Sequence, residues 1–524
     1  MRRRTDSETV MQVGSSQPQF GVSAAVSAAL AGGLLALAFP PFPLGFLAYV
    51  ALAWILLTVR GASPRAAAAR GYVFGFVFHF ATLYWTGWVS GAGTLVMVAI
   101  LALYVSLVFW LWAWIRDKLG EGAIWLFPVV WIAHEYLRGL GDLAFPWTNL
   151  SLSQVHYVPL IQFADITGDL GVGLWVGFVS ILVYQLACVW QASRRRMLAF
   201  LWAVLVLLFA LPFLYGRSAI QGLTTAATVR VAVLQGDIDS YRKWDSAYVD
   251  QSFAIYEAQS RAAASRGAKL IIWPETAAPV YLRSEPQYHR QLRELSSELG
   301  VPLLVGTLEY ENVKGGGYLS YNAAVMLESG GYQPEFHAKL HLVPLGEWIP
   351  FSDRIKVLDR LEVGGAHFTR GTHYVLFPHE AGPFAAAICY ESVFPEIVRG
   401  FANVGARFLV NITNDGWYGF SSGPAQHALI AVYRAIETRR PIARSANTGI
   451  STLIDRAGRL HDPTAQYIPD VILGDLPLGR ADEQTFFMRH GMFVGTWCLL
   501  LTILSVAWAA ISSVRRRRAS RRMD

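Results

Sequence analysis

Residues 382–396 read GPFAAAICYESVFPE: a run of small apolar residues ends in Cys389, followed at once by Tyr390 and Glu391. The run FAAAI reads as a strand. In an α/β sheet the carboxyl ends of strands are where loops collect catalytic groups, and Cys389 stands at such an end. A buried structural thiol remains an open reading for the cysteine taken alone.

The surroundings extend the α/β pattern. From about 228 to 480, short β-rich runs alternate with helical stretches: VRVAVLQGD, a helix near 245–266, KLIIWPE, a helix near 285–299, and PLLVGTLE. YNAAVMLE, ARFLVNITND, a helix near 423–439, PIARSAN and ISTLID follow, with antiparallel pairing expected where no helix intervenes. This length suffices for one large core.

Three residues lie at or just beyond the ends of apolar runs: Glu275 after LIIWP, Lys339 within HAKLHLVPLGEWIPF, and Cys389. Thiol-based acyl transfer requires these residue types. A carboxylate takes the thiol proton, a lysine stabilises thiolate and oxyanion, and the sulfur attacks a carbonyl to give a thioester. Lys339 is expected to increase the thiolate fraction of Cys389. Each residue also has a plain alternative: Cys389 in the core, Glu275 capping a turn, Lys339 solvated.

Outside this block the chain is made for lipid. Of its 524 residues 54% are apolar and only 15% charged, with mean hydropathy +0.35. Windows near spanning length fall at about 21–39, 42–59, 72–89, 93–115, 122–137, 170–190 and 198–215, then at 491–513. The expected domains are an N-terminal tail (1–20), seven transmembrane helices (21–216), the catalytic block (228–480), an eighth transmembrane helix (491–513) and a basic tail (514–524). The first window follows a long polar leader and precedes another apolar run, so no signal cleavage is expected.

Basic residues mark every second connection: Arg2, Arg3 and Arg4, then Arg60, Arg65 and Arg70, then Arg116 and Lys118, then Arg194, Arg195 and Arg196, then the arginines at 515–518. The alternate connections carry only Arg138, which places both termini in the cytoplasm and the 228–480 block on the opposite side. Much of the +7 net charge belongs to these clusters and calls for no nucleic acid. Cys188 and Cys498 lie inside predicted spans, so Cys389 is the single cysteine of the catalytic block and has no disulfide partner there.

WPE, the Lys339 segment and CYE, in that order, resemble the Glu, Lys and Cys triad of the nitrilase superfamily. With seven helices before that block and one after it, and with FPWTNLSLSQ (145–154) and TNDGWYG (413–419), the chain resembles the bacterial apolipoprotein N-acyltransferases of the inner membrane. The resemblance implies a periplasmic nitrilase-like α/β domain, an α-β-β-α sandwich, on a multi-pass α-helical membrane domain. It implies ping-pong transfer of an sn-1 acyl chain from a phospholipid donor, typically phosphatidylethanolamine, through a Cys389 thioester. The acceptor is the α-amine of a diacylglyceryl-cysteine at the N-terminus of an apolipoprotein. Glu275 is then the general base, Lys339 supports the oxyanion, and Glu347 polarises or positions the triad. No metal, cofactor or oligomer is required, and a monomer is expected.

The same match marks Tyr390 as packing the acyl or head-group site and Glu391 as ordering the nucleophile loop. Asn414, Asp415 and Trp417 fall in a loop beside the site, where GWYG stands for the family's AWFG. Trp348 stands where tyrosine is familiar. Trp147 and Arg138 are expected toward the extracytoplasmic side, near head groups or in the aromatic and polar belt. His427, Arg434, Glu437, Arg440 and Arg444 read as a structural network, with Arg434 and Glu437 able to pair on one helix face. His79, inside a span, reads as a packing or hydrogen-bonding residue.

Two other functions fit parts of this pattern. A membrane-tethered nitrilase-family amidase or lipid hydrolase needs one anchor, whereas this chain devotes roughly 200 residues to helices preceding the block. A transporter or sensor would show charged or broken spans near the bilayer middle, and these windows are largely uncharged.

Overall fold

The computed structural model describes residues 23–191, 194–328, 331–332, 335–349 and 368–520. The expected tail at 1–20 with Arg2, Arg3 and Arg4, the last residues of GEWIPF, and 521–524 lie outside the described residues. Seven helices come first: α1 (Ala24–Leu37), α2 (Leu47–Thr58), α3 (Pro64–Leu83), α4 (Gly91–Leu119), α5 (Phe127–Arg138), α6 (Ala164–Gln191) and α7 (Arg195–Gln221).

Five helices among the described residues, α3, α4, α6, α7 and the last of the chain, are long and apolar enough to cross a membrane. The remaining three expected spans are shorter. α1 has 14 residues, α2 has 12 and α5 has 12, or roughly 18–21 Å against the ~30 Å of a hydrocarbon core. For α5 the reason is local: 121–126 winds as a 3-10 helix behind Gly120, whose φ is 95°, and Pro128 sits in the first turn of the α-helix that follows. Small residues bring helices together, since a methyl group at Gly32 of α1 would strike the Phe74 carbonyl of α3. Apolar side chains of α7 such as Phe200, Leu211 and Leu214 face outward, as hydrocarbon solvent requires.

The block that follows forms two sheets among the described residues. Its elements are β1 (Ala227–Gln235), α8 (Ser246–Ser265), β2 (Leu270–Ile272), β3 (Ala278–Tyr281), α9 (Pro286–Leu299), β4 (Leu303–Asn312), β5 (Tyr318–Glu328), β6 (Gly331–Tyr332) and β7 (His337–Ala338). Then come β8 (Phe384–Ile388), α10 (Pro395–Asn403), β9 (Phe408–Thr413), α11 (Gly423–Thr438), β10 (Ile442–Ala446), β11 (Thr452–Ile454), β12 (Leu460–His461) and β13 (Asp470–Leu478). Helices α12 (Phe486–His490) and α13 (Phe493–Ser520) close the chain.

One sheet has the order β13-β1-β2-β4-β5-β6, with β3 on β4 and β7 on β5; the other is β12-β11-β10-β9-β8. Pairing is parallel where a helix intervenes, as in β1–β2, β2–β4, β8–β9 and β9–β10. It is antiparallel where strands follow directly, as in β4–β5 and β10–β11. Period-2 alternation divides the side chains. Val231, Val233, Ile272, Phe384, Ala386 and Ile388 join one cluster, while Ala232, Leu234 and Ile271 pack with Phe253 and Leu292 of α8 and α9. On the other sheet Ala385, Ala387 and Leu409 pack with Phe401 and Ala435 of α10 and α11. Ser445 on β10 donates to Leu234 O and Ile272 O, joining the two sheets.

Candidate active site

Three strand ends converge. Glu275 lies three residues beyond β2, Lys339 directly follows β7, and Cys389 directly follows β8. All three are buried, at 6%, 1% and 6% exposure. Lys339 Nζ sits 3.3 Å from Glu275 Oε1 and 2.8 Å from Glu347 Oε1. Asn322 on β5 donates through Nδ2 to both carboxylates, at 2.8 and 3.0 Å, and the Asn414 backbone N–H donates to Glu275 Oε2 at 2.9 Å. Glu347 Oε2 accepts from Val343 N. The charges of Glu275, Lys339 and Glu347 are thus paired and hydrogen-bonded.

Cys389 occupies the left-handed region, with φ 51°, at the start of the 3-10 turn Cys389–Val393. Such a conformation in a non-glycine residue persists only where the surroundings hold it. Glu391, fully buried, supplies part of that hold: Oε1 accepts from Leu340 N and Oε2 from Ile388 N, both at 2.5 Å. One carboxylate therefore clamps the Lys339 segment to β8. His337 Nε2 approaches the same carboxylate at 3.3 Å.

The expected pull of Lys339 on the thiol is present but is outweighed. Burial pushes the Cys389 thiol well above its ordinary range, and Glu275 and Asp415 add to the rise that Lys339 opposes. The thiol is therefore neutral at rest, and its proton has to be removed as attack begins. Burial alone would lower Lys339, but Glu347 and Glu275 outweigh it and hold the ammonium charged. A second lysine was not legible in the sequence: Lys243, in the loop after β1, is buried, donates to Thr276 O and Oγ1, and is pushed down to about 8 by burial. Asn322 was missed too, because a lone asparagine in a strand carries no motif.

The other candidates separate into groups. Tyr390 stacks on Trp147 with ring centroids 6.2 Å apart and donates to Ala144 O, so it joins the catalytic block to the loop after α5. Asn414 Oδ1 accepts from Ser240 and Asn447, and Trp417 meets Tyr241 edge to face. The Trp348 ring lies 4.0 Å from the Arg370 guanidinium, which pairs with Asp142.

Trp147 and Arg138 are enclosed by protein. Trp147 is 1% exposed and donates to Gln426 Oε1; Arg138 is 7% exposed and donates to Thr148 and Asn149. Arg434 and Glu437 do pair, and Arg434 also donates to Val393 O at the end of the Cys389–Val393 turn. His79 is buried, with Nδ1 at 2.8 Å from Gly75 O.

A cysteine on a strand-end elbow near a buried Glu–Lys pair, in a block flanked by long apolar helices, gives the chain a nitrilase-like α/β domain joined to membrane-type helices. Residues 230–485 match the carbon-nitrogen hydrolase family and residues 31–182 match the apolipoprotein N-acyltransferase N-terminal domain. Apolipoprotein N-acyltransferase from Geobacter metallireducens is 35% identical over 480 residues, covering 88% of this chain and 91% of its own. That from Methylococcus capsulatus is 36% identical over 454 residues, covering 82% and 86%. The chain belongs to the apolipoprotein N-acyltransferase family, and with it goes the family's general acyltransferase function. A solved nitrilase-superfamily amidase from Nesterenkonia AN1 is 18% identical with a TM-score of 0.37 over 49% of this chain and 93% of its own, and the assignment does not rest on it.

Proposed function

We propose that this chain transfers the sn-1 acyl chain of a phospholipid, phosphatidylethanolamine by expectation, to the α-amine of a diacylglyceryl-cysteine at the N-terminus of an apolipoprotein. The observation that carries the reading is the buried Lys339–Glu275 contact, whose charges both act on the Cys389 thiol. In the first half, Glu275 takes the thiol proton as sulfur attacks the ester carbonyl. Lys339 faces the charge that develops on oxygen. The C–O bond breaks, Glu275 returns the proton to the departing alkoxide, and lysophospholipid leaves the Cys389 thioester behind.

In the second half the neutral α-amine attacks that thioester and gives a proton to Glu275. The C–S bond breaks, the amide leaves, and the proton returns to sulfur. The raised thiol supports the base role of Glu275, because a neutral thiol needs a proton acceptor. Glu347 positions Lys339, while Glu391 and Tyr390 set the nucleophile loop.

The catalytic block (228–480) is read as an α-β-β-α sandwich in the periplasm, flanked by seven membrane helices (21–216) and one more (491–513). Both termini are cytoplasmic and the enzyme acts as a monomer. Incubation with labelled phosphatidylethanolamine is expected to give a hydroxylamine-sensitive adduct that Cys389→Ala abolishes. An adduct on Cys389→Ala would dismiss the nucleophile, and release of free fatty acid alone in the presence of diacylated lipopeptide would make the chain a hydrolase. Accessibility tags near residue 63 and at the C-terminus are expected to report cytoplasm; labelling from outside would reverse the orientation.

A further inference from the structure

Behind Cys389 lies a second buried polar constellation that the acyl-transfer steps leave unused. His427 on α11 and Asp415 after β9 are both fully buried, with His427 Nδ1 2.8 Å from Asp415 Oδ1. Asp415 Oδ2 is 2.8 Å from Arg444 Nη2, and Oδ1 also accepts from Thr413 Oγ1. Burial alone would raise the Asp415 carboxyl, but His427 and Arg444 hold it below its ordinary range. An ionised carboxylate only accepts, so Nδ1 carries the ring proton and the imidazole is fixed in one orientation.

The other edge of the ring points at the nucleophile's main chain. His427 Nε2 lies 3.1 Å from Cys389 O and 3.2 Å from Ser392 Oγ, and Ser392 Oγ donates to Cys389 O at 2.9 Å. The spacing Ser–His–Asp resembles a hydrolytic triad, yet Ser392 is 2% exposed and its hydroxyl is turned to the carbonyl of Cys389. With the proton on Nδ1, Nε2 only accepts, so the link to Cys389 O runs through the Ser392 hydroxyl, whose proton lies between Nε2 and that carbonyl; the pair thereby holds the peptide that follows a cysteine at φ 51°. A strained conformation must be over-determined by its neighbours, and a misplaced nucleophile loses rate steeply.

We propose that His427, oriented by Asp415 and acting with Ser392, is a positioning residue that holds the Cys389 elbow and so aims the thiol. His427 touches neither substrate nor sulfur in this role. Trp147 packs on the imidazole with ring centroids 5.2 Å apart, and the neighbouring Gln426 is bonded to Trp85, Trp147, Pro40 O and Thr82 O. The elbow is therefore held from a helix that is itself fastened to the membrane segments. The inference rests on Cys389 being the acyl carrier, but its test does not.

The test measures two rates on full-length protein in detergent: alkylation of Cys389 by iodoacetamide, followed by peptide mass spectrometry, and adduct formation from phosphatidylethanolamine. His427→Gln places an amide at the Nε2 position, beside Cys389 O and Ser392; His427→Asn places one at Nδ1, beside Asp415. Ser392→Ala leaves the His427–Asp415 pair in place. Expected is a loss of about tenfold or more in both rates for His427→Asn and Ser392→Ala, with His427→Gln within about threefold of wild type and KM for the donor unchanged.

Equal losses for the Asn and Gln variants would reduce His427 to packing and overturn the proposal. So would wild-type alkylation in Ser392→Ala. If wild type alkylates but forms no lipid adduct, the acyl-transfer reading fails, and the alkylation rates alone still decide the role of His427.

Discussion

Lys339 lies closer to Glu347, at 2.8 Å, than to Glu275, at 3.3 Å. The ammonium is thus held chiefly by a carboxylate outside the proposed proton-transfer pair. Glu347→Gln keeps an oxygen near Lys339 but removes that charge, so the lysine is drawn onto Glu275 and blocks it as a base. Single-turnover adduct formation is expected to fall about ten- to a hundredfold, each tenfold being about 1.4 kcal/mol in the barrier. A rate within twofold of wild type would separate Glu347 from catalysis.

The neutral resting thiol has a pH signature. Below about 8.5 both an ordinary cysteine and Cys389 are protonated; above it an ordinary cysteine becomes thiolate while Cys389, raised by burial and Glu275, remains a thiol. Alkylation of Cys389 in the absence of lipid should keep rising with pH past the point where a model thiol levels off. A plateau at or below about 8.5 would mean that the charge of Lys339 overrides burial.

Tyr390 joins two parts of the chain by two separable means. Tyr390→Phe removes only the bond to Ala144 O, and thermal unfolding in detergent should register a loss of about 1 kcal/mol. Tyr390→Ala also removes the ring packed against Trp147 and Phe394, at about 3–5 kcal/mol, with a large drop in adduct formation. Equal effects from the two variants would assign the role to the hydroxyl.

Gln426 is a four-way fastener. Its Oε1 accepts from the indoles of Trp85 and Trp147, and its Nε2 donates to Pro40 O and Thr82 O. Gln426→Leu strands these buried groups and should lower the apparent melting temperature by roughly 5 °C or more. An unchanged transition would show that the contacts carry no net stability.

The sequence was most readable where chemistry is local. WPE, the Lys339 segment and CYE each place a reactive residue at a strand end, which is where the structure has them. Asn322, Lys243 and Gln426 were silent because their roles depend on distant segments meeting, and neither hydropathy nor spacing reports that. Charge alone suggested that Lys339 would lower the thiol, and it does; burial, invisible in a linear sequence, outweighs it. Trp147 matched the composition of an interfacial belt and is instead enclosed under α11. Hydropathy windows found α1, α2 and α5 but overstated their length; for α5 the window took in the 3-10 turn 121–126 that precedes the helix, because apolarity does not distinguish the two windings.

The fastening at Gln426 also bears on how such a chain can be divided. The two family matches, 31–182 and 230–485, suggest a cut between them. Structurally that cut would sever Trp147 from His427, Ala144 from Tyr390 and Asp169 from Glu437, leaving a raw face immediately behind Cys389. An excised soluble fragment would be an incomplete enzyme rather than a catalytic module without its anchor. Chimeras should exchange residues 144–154 together with α11, as one heritable unit.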